Sequence, residues 1–211
     1  MRKTLLFYLF AVLLTALPQS VKADTWVFEW DKSHSDATAQ GFYNFGSTAV
    51  DKDVYTEVLN SIVWNITSVG TKKYAYTAKS GQSIGTTSEP SSHTSLWTTG
   101  FAGTIKAVRV TARTNKDANV AALKVSVDGK ALLTGTSEAA ALNGTLTQYE
   151  FKASSAAQEG KLEITLDPTS ESQGTLYIKR IEVDYDAVQS SVPTPTITPA
   201  AGTYDARRAY P

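Results

Sequence analysis

Cysteine is absent from the 211-residue chain, and histidine occurs only at His34 and His93. No disulfide framework, thiolate zinc site, thiolate-held iron–sulfur cluster or thiol nucleophile can therefore form. Net charge is lacking too, with 20 Lys+Arg against 20 Asp+Glu. The first 23 residues hold Arg2, Lys3 and Lys22 and no acid, so the rest carries 17 cationic and 20 acidic side chains. A faintly acidic chain without clustered Lys and Arg is not built for nucleic acid or for anionic lipid. Long apolar runs are missing beyond the N-terminus, as are Gly-x-Ser-x-Gly, His-Glu-x-x-His and phosphate-cradling glycine motifs.

The N-terminus reads as an export signal. Arg2-Lys3 leads into Leu5–Leu14, Pro18 ends the apolar run, and Val21-Lys22-Ala23 supplies modest side chains before Asp24. The run is half the ~20 residues of a spanning helix, so cleavage before Asp24 is expected rather than a membrane anchor. The address is periplasm, cell surface or medium, with no stable membrane insertion after cleavage. Without disulfides, the exported domain must be held by packing alone. Residues 24–187 are enough for that, since a domain near this size buries roughly 70% of its unfolded surface.

Short β-patterned segments fill that span. Trp26, Phe28 and Trp30 alternate on one face of a first strand. Extended segments follow at Ile62–Thr67, Lys73–Ala78, Thr104–Arg113, Gln148–Lys152, Lys161–Leu166 and Leu176–Asp184. Ala121–Val127 pairs with Lys130–Leu133 across Asp128-Gly129, a type I′ hairpin signal. Tyr55–Leu59 and the Ala-rich Ser137–Gly144 each suggest a helical turn, and 31–50 and 79–95 read as loops. Some nine strands without a long helix predict an all-β protein, an antiparallel β-sandwich. Residues 188–199 form a Pro/Thr-rich linker.

Four segments resemble a recurrent exported module: Gly81–Gly85, Phe101–Val108, Val125–Gly129 and Leu176–Tyr185. The module is a galactose-binding-like jelly roll of Bacteroidetes and Firmicutes proteins. The resemblance spans residues 24–187 and is looser before Gly81. From Pro193, the segment Pro195–Asp205 resembles the opening of the immunoglobulin-like domain at chitobiase/β-hexosaminidase C-termini. The chain departs from that pattern at Ala206, so residues 200–211 read as a truncated start and a disordered tail. Neither resemblance brings a catalytic residue, and fold alone does not fix function.

The chain is accordingly expected to be non-catalytic. His34 and His93 lie among serines by composition, and no motif selects a carboxylate pair for glycoside hydrolysis. Glycan or cell-surface binding within a larger secreted protein is the leading expectation. A structural spacer or adhesin-type interaction domain is the alternative, and a glycoside hydrolase fragment is third. Sugars stack on exposed rings while amides and carboxylates take their hydroxyls. The candidate rings are Trp97, Phe42, Tyr43 and Phe45, with Asn44, Gln82 and His93 as polar partners. Trp26, Phe28, Trp30 and Trp64 are assigned to the core. A structural Ca²⁺, a hard cation preferring oxygen ligands, would use Asp31 and Asp36, with Asp51 and Asp53 nearby.

Overall fold

Two antiparallel sheets face one another in the computed structural model, which describes residues 21–30, 42, 53–71, 73–77, 79–115, 121–154, 158–168 and 174–188. The strands are β1 (Val21–Glu29), β2 (Tyr55–Leu59), β3 (Ile62–Val69), β4 (Tyr74–Thr77), β5 (Gly81–Ile84), β6 (His93–Thr98) and β7 (Gly103–Thr114). After these come β8 (Ala121–Val127), β9 (Lys130–Ala131), β10 (Ala139–Leu142), β11 (Thr147–Lys152), β12 (Leu162–Pro168) and β13 (Leu176–Val188). A six-stranded sheet runs β11-β7-β13-β5-β4, with β1 also on β13. A seven-stranded sheet runs β10-β8-β12-β6-β3-β2, with β9 on β8. The expected all-β antiparallel sandwich is the architecture. Signal residues 1–20 and residues 189–211 of the linker and tail lie outside the described residues, whereas Val21–Ala23 of the signal segment and Val188 of the linker belong to β1 and β13, where Val21 pairs with Val188.

The core assignments hold. Trp26 and Phe28 point inward from β1, Trp30 continues the same face just beyond its end, and Trp64 faces them from β3. Trp26 and Trp64 lie 5.6 Å apart by ring centroids, and Phe101 meets Trp26 edge-on at 5.7 Å. Aromatic pairs at such separations add to the hydrophobic gain of burial. This cluster ties the two sheets together in a chain with no covalent cross-link.

Strict alternation fails at two lysines. In β13, period two would place Leu176 and Ile178 opposite Ile181 and Val183, yet all four are buried. Ile178 pairs with Ala112 and Arg180 with Thr111, so Lys179 is an extra residue that resets the phase. In β7, Ala107 pairs with Asp184 and Ile105 with Tyr185, making Lys106 the second insertion. Both are β-bulges, which re-aim side chains and increase twist.

Two helical readings are corrected. Tyr55–Leu59 is β2, joined to β3 by Asn60-Ser61, both at positive φ (42° and 66°). That is the backbone of a type I′ hairpin. Trp26 Nε1 donates to the Asn60 carbonyl at 2.9 Å, and Asn60 Nδ2 donates to that of Val27. Ala139–Leu142 is β10, because pairing to β8 and burial of Ala140 and Leu142 outweigh the helix propensity of alanine. The expected loop 79–95 likewise contains β5 and the start of β6. The Asp128-Gly129 hairpin is present, with φ of 49° and 77°.

Candidate functional site

In β6, Thr94, Leu96 and Thr98 turn into the core, which leaves His93, Ser95 and Trp97 on the outer face of the seven-stranded sheet. Trp97 is therefore a half-buried strand residue at the middle of a sheet rather than a loop residue. The ladder sets its neighbours. Asn65 of β3 and Glu163 of β12 stand directly opposite Trp97 on either side, Thr56 lies beyond Asn65, and Ser126 beyond Glu163. One indole thus sits in a row of hydroxyl, amide and carboxylate groups. The next row holds Thr67, Ser95, Thr165 and Lys124.

These polar groups are held in place. Ser95 Oγ donates to Glu163 Oε1 at 2.6 Å, and Lys161 Nζ donates to the same oxygen at 2.9 Å. Lys161 Nζ also lies 5.3 Å from the Trp97 ring centroid, a cation–π distance. Thr56 Oγ1 donates to Asn65 Oδ1 at 2.8 Å. His93 Nδ1 lies 2.6 Å from Asp167 Oδ1, while Lys124 Nζ donates to Asp167 Oδ2 at 2.9 Å. Glu163 and Asp167 on this face each have a basic neighbour, so they present paired charges and fixed dipoles.

At one end the face becomes apolar. Val58 and Val63 form a cross-strand pair on β2 and β3 and are 56% and 50% exposed. Val63 is two residues from Asn65 on the same face, a diagonal neighbour of Trp97. This valine pair is a site component that sequence alternation did not single out, because its signal appears only once β2 is known to be a strand.

Two sequence candidates are corrected. Phe42 is 1% exposed and belongs to the core cluster. Gln82 is also 1% exposed, and its amide clamps the backbone of Phe42: Oε1 accepts from Phe42 N–H at 2.8 Å and Nε2 donates to Phe42 O at 2.9 Å. A buried amide consumed in this way serves the fold, since leaving those backbone groups unpaired is costly. Neither side chain is open to a ligand. His93 and Trp97 come together on one strand face. Tyr43, Asn44 and Phe45 lie outside the described residues, as do Asp31, Asp36, Asp51 and His34. Asp53 is described, and its carbonyl accepts from Thr67 Oγ1 at 2.7 Å. Among the described residues, no three His, Asp or Glu side chains are placed to hold a metal ion.

The outer face of the other sheet is a lattice of ion pairs. Arg109 reaches Glu150 at 3.3 Å, Glu182 at 3.2 Å and Asp184 at 2.5 Å, and Arg180 joins Glu29 to Glu182. Burial pushes the Asp184 carboxyl up, but hydrogen bonds from Arg109 and Thr25 outweigh it and hold the group below the usual carboxylate range. Asp167 and Glu163 are lowered in the same way, burial opposing Lys124 and His93 at one and Ser95 and Lys161 at the other. A folded-state pKa below the unfolded value gives stability that is complete above the unfolded pKa, about 4 for carboxylates. It is lost as pH falls through the lower folded values. The melting temperature should accordingly hold from pH 7 to 5 and fall below about pH 4, with a shallower fall in Asp184→Asn. A melting temperature that rises between pH 5 and 3 would contradict this assignment.

No family model and no curated protein matches the sequence. Among solved structures, the chain is similar to a family two carbohydrate esterase from Cellvibrio japonicus, at 6% identity and TM-score 0.40 over 79% of this chain. It spans only 36% of that esterase. A xylan-binding module, CBM15, is similar at 13% identity and TM-score 0.39, covering 64% of this chain and 97% of the module. The family 29 carbohydrate-binding module CBM29_1 from Piromyces equi is similar at 13% identity and TM-score 0.37, covering 82% of this chain and 97% of the module. These likenesses are of the β-sandwich alone.

Proposed function

We propose that the chain is an exported, non-catalytic glycan-binding module, and that it binds through the outer face of the seven-stranded sheet. The observation that carries this reading is Trp97. Of the four tryptophans it is the one on the outside, set in register between Asn65 and Glu163. In this reading a pyranose stacks on the indole face away from Lys161. Asn65, Glu163 and Ser126 take its hydroxyls. The hydrogen bonds from Thr56 to Asn65 and from Ser95 and Lys161 to Glu163 limit the ordering cost of binding. A neutral glycan suits a face on which the charges of Glu163 and Asp167 are already paired. Residues 24–187 are the functional unit, and export follows from the N-terminal signal.

Native gels cast with soluble polysaccharides (xylan, β-glucan, galactomannan and xyloglucan) test this. The chain should be retarded by at least one of them, and Trp97→Ala should lose that retardation while keeping the wild-type melting temperature. Retardation untouched by Trp97→Ala would remove this face from the account.

The exposed Val58–Val63 pair favours a second reading, in which the same face docks a protein and the module acts as an adhesin-type interaction domain. In that case no polysaccharide retards the chain.

A further inference from the structure

The six-stranded sheet carries a hollow that the glycan reading does not use. It has a volume of about 760 Å³ and lies across β1, β13 and β7, where the Lys106 bulge interrupts the ladder. The placement has a mechanical cause. An extra residue in β7 lets it part from the regular rungs at Asp184 and Tyr185 and turns Lys106 toward the gap.

The chemistry of the walls is specific. Lys106 Nζ is bound to Asp186 Oδ2 at 2.8 Å, and Arg109 Nη2 to Asp184 Oδ2 at 2.5 Å. Thr25 Oγ1 donates to Asp184 Oδ1 at 2.8 Å. Arg109 is held from three sides by Glu150, Glu182 and Asp184, so its fork is fixed before any ligand arrives. Each ion pair places a donor beside an acceptor, and the paired groups retain spare capacity: an ammonium has three donors and a carboxylate about four lone-pair sites. Adjacent donor and acceptor sites match neighbouring hydroxyls on a sugar ring, because every hydroxyl both gives and takes a hydrogen bond. The wall carboxylates Asp24, Glu182, Asp184 and Asp186 outnumber the cations Lys106 and Arg109, and still do so once cleavage before Asp24 adds its α-ammonium. That surplus disfavours an anionic ligand.

We infer that this hollow is a second ligand site, independent of Trp97, which takes a non-anionic pyranose by its vicinal hydroxyls. Being on the opposite sheet, it stands or falls separately from the Trp97 face. Two such faces on one module would let it bridge two chains or gain avidity on one surface.

Amide chemical shifts of the ¹⁵N-labelled chain locate the site directly. Titration with the methyl glycosides of glucose, galactose, mannose and xylose should move the resonances of Thr25, Lys106, Arg109 and Asp184–Asp186 for at least one of them. The same shifts should persist in Trp97→Ala. Lys106→Gln, on a side chain that is half exposed, should weaken that titration by about fivefold, the equivalent of one hydrogen bond. Glucuronate should bind more weakly than methyl glucoside. No shift at these residues with any of the four glycosides overturns the inference. A stronger response to glucuronate overturns it, and so does loss of the shifts in Trp97→Ala.

Discussion

Gly81→Ala is expected to destabilise the chain by more than about 3 kcal/mol, and in practice to prevent it from folding at 37 °C. Two independent costs combine. Gly81 sits at φ +81°, where a side chain is strained in any surroundings. A Cβ there would also land on the carbonyl oxygen of Ile178 and come within 2.6 Å of Lys179 Cα. Both neighbours are backbone of β13 at its Lys179 bulge, so no rotamer change can yield the space. Gly129 provides the comparison. Its φ is +77°, but a Cβ would meet nothing within 4 Å, so Gly129→Ala pays the strain alone, about 1 kcal/mol. Urea unfolding of the two variants separates the terms. Equal effects would mean that the close approach of β5 to β13 is absent in solution.

Trp64→Ala is expected to cost about 3–5 kcal/mol, the range for deleting a large buried aromatic side chain. Trp64 is fully buried and reaches across the sandwich to Trp26 and Phe101. Its removal opens a void where β1 and β3 meet ring to ring. With no disulfide as backup, the loss falls wholly on packing. Trp64→Phe should cost much less, because it keeps a ring and removes an indole N–H that has no hydrogen-bond partner among the described residues. Chemical denaturation of both variants, read by far-UV circular dichroism, checks the order. A larger loss for phenylalanine than for alanine would contradict this view of the core.

The class of fold and its aromatic core were legible because burial leaves a period-two record in the sequence. Trp26, Phe28 and Trp30 show it without interruption. The hairpin at Asp128-Gly129 was legible because turn chemistry is local. Where that record broke, the cause was non-local. Lys106 and Lys179 each insert one residue, and only the partner strand reveals which residue is extra. Asn60-Ser61 turns the chain as tightly as Asp128-Gly129, but serine at positive φ is a weak signal. It is stabilised by tertiary hydrogen bonds from Trp26 and to Val27 that no local pattern announces.

The site was half legible for a related reason. Trp97 and His93 were singled out as polar-region residues, and they do lie at the surface, but on a strand. Phe42 and Gln82 were singled out on the same grounds and are buried against each other, forty residues apart in sequence. Composition near a residue does not report what lies above it in the fold. The row Thr56–Asn65–Trp97–Glu163–Ser126 draws on five strands, so it exists only as a register.

A glycan array probed with the wild-type chain, Trp97→Ala and Tyr43→Ala is the most direct measurement of the central claim. The expected result is binding to a neutral glycan that survives in Tyr43→Ala and falls by at least tenfold in Trp97→Ala, about 1.4 kcal/mol. Silence across the array from the folded wild-type chain, or binding that Trp97→Ala leaves intact, would contradict it.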